Sequence, residues 1–332
     1  MKKLYLHLGS PKTGTSSIQR LLFQNKVNIN QQGFTYPGRE INHHKLWFVT
    51  EGERADMPRQ FSSVKPAEMK RSVDQFTVQL ENDIETGNTQ QIISTEYLFI
   101  HNEEYVRRAA EYLKRFYSEI TVLLFVRNPV DYYKSVQQQM IKARSYVESP
   151  YEYTYIFRKV IEMWKQFFDV QVYEYSPKQN SLVVFCNKIG LDYNSLDQAG
   201  KRTNVSLSIE QMLLLEKIQR NIYTNKEDVF KPHLNVIQEV NAPFSTKPRI
   251  KDWVKEVVYE KHSEDLEWLK EEYNIEFARD FGSAKGEQSN PTSNDNQIEL
   301  RDIYYVEEKL SERYEALIMD VLLKELVKRN TN

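Results

Sequence analysis

Gly9-Ser10-Pro11-Lys12-Thr13-Gly14-Thr15-Ser16 gathers two glycines five residues apart, a lysine between them and a run of hydroxyls. A loop of this composition turns successive backbone N–H groups toward one point. A helix starting at its end adds partial positive charge, so the segment suits a phosphate-like anion. A second anion contact is suggested by Arg127, which closes the apolar run Val122-Leu123-Leu124-Phe125-Val126 and is followed by Asn128, Pro129 and, eight residues on, Ser135. A guanidinium grips a phosphate through two parallel hydrogen bonds, and a hydroxyl farther along a helix can reach the same group. Taken alone, such an arginine equally serves a structural ion pair. Among residue types able to take a proton, Glu96 follows Gln91-Ile92-Ile93-Ser94-Thr95, and His43 and His44 are adjacent. A carboxylate works best as a base when partial burial raises its pKa, whereas histidine titrates near neutrality unaided. The structural alternatives are a helix cap or a Lys12 partner for Glu96, and packing for either histidine.

These residues need strand ends to hold them. Lys3 to Leu8 reads as a strand, Pro11 to Gly14 as a tight loop, and Thr15 to Gln24 as a helix with Ile18, Leu21 and Leu22 on one face. Gln91 to Thr95 and Ile120 to Val126 are short apolar runs rich in β-branched residues that read as further strands, and Val170 to Tyr175 reads as another. Strands alternating with helices predict an α/β fold: a P-loop-like parallel β-sheet flanked by helices. From Ser208 the pattern turns helical, over Ile209 to Asn221, Ile250 to Tyr273 and Glu299 to Lys328. The expected organisation is an α/β domain over 1–281, a Gly, Ser and Asn-rich surface loop over 282–297, and a C-terminal helix over 298–332. That helix places Ile303, Val306, Leu310, Leu317, Val321 and Leu322 near one stripe, which packs on the core or forms a homodimer contact.

The 332 residues, 40% hydrophobic and 28% charged, suffice for a full core, and the formal net charge of −2 excludes a basic field for bulk nucleic-acid binding. Cys186 is the single cysteine, so an internal disulfide and a CxxC site are both excluded. No HExxH, Asp-rich loop or Cys/His cluster marks a metal site, and none is expected. Gly9, Pro11 and Lys12 interrupt the first apolar run before a signal peptide forms, and no stretch approaches 18 apolar residues, so a cytoplasmic protein with no membrane span is expected.

Against the GxxxxGK[ST] pattern of P-loop kinases and NTPases, the glycine spacing and Ser16 agree, but Thr15 stands at the lysine position and the lysine is displaced to Lys12. The run Leu6 to Ser17 instead resembles the 5′-phosphosulfate loop of sulfotransferases that use 3′-phosphoadenosine 5′-phosphosulfate (PAPS), especially bacterial ones, whose usual form is PKTGTT or PKSGTT. Val122 to Asp131 with Ser135 resembles the 3′-phosphate motif of the same family. Lys201 to Ser208 resembles a segment that many bacterial members carry before a helix. The resemblance covers roughly Lys3 to Ser208 through short motifs; the GxxGxxK stretch of animal cytosolic members is absent.

The resemblance implies sulfonate transfer from PAPS, without a metal, to a hydroxyl or amine, leaving 3′,5′-ADP. It implies donor contacts from Pro11, Lys12, Thr13, Gly14, Thr15 and Ser16, and 3′-phosphate contacts from Arg127, Ser135 and Arg202. Lys12 would stabilise the leaving phosphate. Glu96 stands where animal members carry a histidine base, and polysaccharide-modifying members use a glutamate. His43 and His44 lie where bacterial members feed the acceptor cleft, with His44 the competing base. Gln137, Gln138, Lys142 and Arg144 follow Ser135; amides and aromatic faces suit sugar rings, although tyrosines spread over a whole protein mostly serve packing. It is the bacterial-type resemblance that implies a carbohydrate or glycoconjugate acceptor, bound by His43, His44, Gln138 and Arg144. Ser206 and Ser208 have a bland alternative in capping the next helix. Two other readings stand beside this one: a metal-dependent kinase or NTPase, and a non-catalytic nucleotide binder.

Overall fold

The computed structural model describes residues 1–51, 61, 64–100, 102–143, 147–176, 179–198, 206–221, 234, 237, 245–281 and 298–331. The 282–297 loop, Arg144 and Arg202 lie outside these residues. The chain divides into two compact units: residues 1–128, 156–202 and 267–276, and residues 129–155, 203–266 and 277–332.

The first unit is built on a five-stranded parallel sheet. Its strands are β1 (Lys3–Leu8), β2 (Phe34–Thr35), β3 (Gln90–Thr95), β4 (Glu119–Arg127) and β5 (Asp169–Tyr175), in the order β2-β3-β1-β4-β5. In register, Leu8 pairs with Thr95, His7 with Leu123, and Arg127 with Tyr175. The central strands are apolar along almost their whole length because both faces are covered: Leu4, Leu6, Leu8 and His7 of β1 are all fully buried. Helix α1 (Thr15–Gln24) packs Ile18, Leu21 and Leu22 onto a core with Ile92, Leu123, Phe125 and Phe185. Parallel strands need crossovers, which α2 (Lys26–Gln31), α3 (Leu46–Glu51), α4 (Pro66–Thr86), α5 (Glu103–Lys114) and α7 (Phe157–Lys165) help to supply, while α8 (Ser181–Ile189) follows the last strand.

The order of the strands selects one place for a ligand. From β1 the chain runs to the β2–β3 side, and from β4 to the β5 side, so the connections diverge between β1 and β4. In open α/β sheets the crevice at such a divergence, outside the carboxyl ends of the strands, is where ligands bind. The Gly9 to Gly14 loop leaves the end of β1, Arg127 ends β4, and Glu96 follows the end of β3.

The second unit is helical. It contains α6 (Pro129–Ile141), α9 (Ile209–Asn221), α10 (Asp252–Lys261), the start of α11 (Ser263–Tyr273), α12 (Leu300–Ile303) and α13 (Glu308–Thr331). Two expected helices are broken. His262 parts α10 from α11: its Nδ1 bonds the Val258 carbonyl at 2.7 Å, and its Nε2 accepts the Tyr155 amide at 2.9 Å. The expected C-terminal helix is interrupted where Tyr304 forms an antiparallel bridge with Ile250. On α13, Tyr314 and Ile318 are buried, while Met319, Leu322 and Leu323 are exposed. Among the described residues no helix is long and apolar enough to cross a membrane.

Candidate active site

The loop after β1 is fixed by three local demands. A Cβ on Gly9 would lie 1.9 Å from Thr15 Cγ2, so only glycine fits beneath the first turn of α1. Gly14 is left-handed (φ 82°), and a Cβ there would come within 2.8 Å of Ser181 Oγ. Lys12 also adopts a left-handed backbone (φ 68°), which an L-residue holds only when its surroundings impose it. The Thr13 hydroxyl donates to the Ser10 carbonyl at 2.6 Å, and the Arg127 Nη1 donates to the Lys12 carbonyl at 2.8 Å. Arg127 thus reaches from the end of β4 into the loop, its guanidinium 5.3 Å from the centre of the Tyr175 ring. No described side chain caps the N-terminus of α1. The first-turn amides there point their partial charge where an anion would sit.

Replacing Gly9 with Ala is expected to force Thr15 and the first turn of α1 to shift, costing about 1 to 3 kcal/mol of stability as overpacking does. Urea denaturation measures it; an unchanged midpoint would show that the turn yields freely.

Glu96 lies beside the loop. Its Oε2 accepts the Thr15 hydroxyl at 2.7 Å, tying the end of β3 to the start of α1. Tyr97, the next residue, stacks on the His44 ring with centroids 4.1 Å apart. The sheet therefore brings Lys12, Thr15, Arg127, Glu96 and His44 into one unit, although the motifs are far apart in sequence. Pro11 and Lys12 are half-buried, Thr13 and Thr15 buried, and Ser16 exposed.

The histidines are placed less favourably for proton transfer than their type suggests. The Ser94 amide donates to His43 Nδ1 at 3.1 Å, leaving Nε2 to donate to the Pro37 carbonyl at 2.8 Å. His43 is thus a buried neutral brace between β3 and the turn at Pro37, and burial lowers its pKa to about 4. His44 is also buried, and desolvation, with His43 adding to it, lowers its pKa to about 4. The ability to titrate near neutrality unaided is removed. His7, which bonds Ser94 Oγ at 2.8 Å, is pushed down to about 3 by burial alone.

A pH dependence of stability follows. A histidine held neutral in the fold but titrating near 6.5 when unfolded leaves the unfolded chain binding more protons as pH falls. Its contribution is complete above about pH 6.5 and is lost on the way down to its folded pKa. For each of His7, His43 and His44 the loss between about pH 6.5 and about pH 5 is about 2 kcal/mol. Denaturation midpoints across that window should fall steeply, and a flat profile would contradict the burial of these rings.

The other expected site residues fall elsewhere. Ser135 and Gln138 lie half-buried on α6, in the second unit. The neighbouring Gln137 is committed to structure, its amide exchanging hydrogen bonds with the backbone of Glu148. Of the Lys201 to Ser208 segment, only the end is described. Ser208 caps α9, its Oγ accepting the Gln211 amide while Gln211 Oε1 accepts the Ser208 amide, which is the structural alternative for that hydroxyl.

Sequence reasoning missed Ser94, which joins His7 to His43, and Tyr175, whose ring lies against Arg127 and near Gly14. The only sequence signal for Tyr175 is its place at the end of β5. Among the described residues no group of three or more His, Cys, Asp or Glu is arranged to hold a metal ion.

No protein-family model matches the sequence, and none of the curated proteins matches it. Among solved structures, the sulfotransferase domain from the curacin biosynthetic pathway is similar at 12% identity and a TM-score of 0.34, covering 79% of this chain and 98% of that one. A likeness of this degree fixes neither fold nor activity.

Proposed function

We propose that the chain is a PAPS-dependent sulfotransferase acting on a hydroxyl or amine of a carbohydrate or glycoconjugate. The observation that carries this reading is the hydrogen bond from Arg127 to the Lys12 carbonyl. It sets the strand-end guanidinium, suited to a 3′-phosphate, against the loop suited to a 5′-phosphosulfate, and PAPS carries both groups on one nucleoside. The residues present fit such a donor: Gly9 and Gly14 let the loop turn tightly against Thr15 and Ser181, no described side chain caps the α1 N-terminus, and Lys12 adds charge. In this reading Pro11 to Ser16 hold the phosphosulfate, and Arg127, Ser135 and Arg202 hold the 3′-phosphate. The acceptor side falls to His44, Gln138 and Arg144, with His43 bracing the turn that leads to it.

The donor supplies an activated sulfonate, whose sulfur–oxygen bond to phosphate breaks as the acceptor atom bonds sulfur. The loop amides and Lys12 stabilise the charge left on that phosphate. Glu96 accepts the acceptor's proton, with His44 as the competing base. Lys12→Ala should therefore lower turnover, because the lysine meets the charge that develops on the bridging oxygen as its bond to sulfur breaks; 3′,5′-ADP keeps that oxygen as a charged phosphate oxygen, so its affinity should fall as well. A loss confined to donor affinity would make Lys12 a simple anchor.

Calorimetry with 3′,5′-ADP, ADP and ATP, with and without Mg²⁺, tests the assignment. Metal-independent binding of 3′,5′-ADP, much tighter than that of ADP, is expected; equal affinities would overturn it. A Mg²⁺-dependent preference for ATP would favour a kinase or NTPase, against which Thr15 at the lysine position and arginine at the end of β4 already weigh. Tight 3′,5′-ADP binding with no transfer to any acceptor would leave a non-catalytic nucleotide binder.

A further inference from the structure

Thr15 has a single hydroxyl proton, and the proposed reaction gives it two claimants. The Thr15 methyl fills the space over Gly9, where a Cβ would come within 1.9 Å of it, so the side chain is held with Oγ1 toward Glu96. The hydroxyl meets Glu96 Oε2 at 2.7 Å. Thr15 is also the first residue of α1, at an end that no described side chain caps and where an anion in the loop would rest. A hydroxyl donates to one acceptor at a time, so a hydrogen bond to the bound anion requires that the bond to Glu96 be given up. An anion arriving there also repels the carboxylate already present.

We propose that the Thr15–Glu96 hydrogen bond is a latch: without an anion, Glu96 is parked on the loop, and an anion entering the loop takes the Thr15 proton and releases Glu96 toward the acceptor. The competition requires only that the loop binds an anion; its consequence for catalysis rests on the sulfotransferase reading. Under that reading the base is freed only after the donor is seated, so productive binding is ordered, donor first and acceptor second. Thr15 then acts as a positioning residue for Glu96 as well as a donor contact.

The test is calorimetric titration of the full chain with inorganic pyrophosphate, and in parallel with 3′,5′-ADP, for wild type, Glu96→Ala, Glu96→Gln, Thr15→Val, Thr15→Ser and Thr15→Val/Glu96→Ala. Removing the competing acceptor should make Glu96→Ala bind pyrophosphate about ten-fold tighter, the scale of one hydrogen bond to a charged group. Glu96→Gln keeps an acceptor oxygen and should gain less. Thr15→Ser keeps the hydroxyl but loses the methyl that holds it toward Glu96, so it should bind pyrophosphate at least as tightly as wild type. In the Thr15→Val background most of the gain from Glu96→Ala should vanish, because there is no proton left to compete for.

If Ala and Gln at position 96 gain equally, and the gain survives Thr15→Val, only charge is at work and the latch is overturned. Unchanged or weaker binding by Glu96→Ala overturns it too, as does failure of every variant to bind pyrophosphate. The donor assignment is judged separately, on whether wild type prefers 3′,5′-ADP to ADP, so the two ideas can fail independently.

Discussion

Arg127→Ala is expected to weaken 3′,5′-ADP binding by about 2 to 4 kcal/mol, roughly 30- to 1000-fold, by removing a charge-assisted bidentate contact. The same substitution should also weaken ADP binding, to a smaller extent. The reason is the second duty of the guanidinium: it donates to the carbonyl of Lys12, whose left-handed backbone must be held in place by its surroundings. The ADP loss measures the brace, and the excess loss with 3′,5′-ADP measures the grip on the 3′-phosphate. Calorimetry of both nucleotides separates them. Equal losses for the two would mean that Arg127 serves the loop alone.

The other large effect concerns proton transfer. Glu96→Gln preserves the shape of the side chain and an acceptor for Thr15 while removing basicity, so nucleotide binding should persist while turnover falls by roughly a hundred-fold or more. His44→Ala and His43→Ala are the matched comparisons. His43→Ala should act mainly on stability, since the ring braces the Pro37 turn and the Ser94 amide. His44→Ala should act mainly on the acceptor side, through loss of the stack on Tyr97. If saturating turnover by Glu96→Gln stays near wild type and that of His44→Ala collapses, the base is His44.

The parts of this architecture that local chemistry specifies were legible in the sequence. β1, β3, β4 and β5 are runs of apolar and β-branched residues bounded by breakers, and α1 starts where Gly14 ends a tight loop. β2, with two residues, has no run to announce it. The helices around Ile250 to Tyr273 and at the C-terminus were expected to be continuous because propensity sees only neighbours. Their breaks come from the Tyr155 amide on His262 and from the bridge between Ile250 and Tyr304.

The same distinction runs through the site. Lys12, Arg127 and Glu96 stood out by type and spacing, but the bonds Arg127–Lys12 and Thr15–Glu96 join residues separated by 115 and 81 positions. His43 and His44 looked like available bases because residue type reports an unperturbed pKa. Burial, which is a property of the fold, lowered both.

The strand order also bears on how the molecule assembles. β1 is the first strand in the sequence, yet it lies in the middle of the sheet, with Lys3 pairing with Gln90 on one side and Glu119 on the other. Its hydrogen bonds are therefore all long-range, and the entropy of closing those stretches of chain is spent before any of them forms. During synthesis at the ribosome, β1 and the Gly9 loop must wait unpaired until β3 and then β4 have emerged. The apolar residues Leu4, Leu6 and Leu8 remain exposed for that interval, the kind of surface that chaperones shield during synthesis.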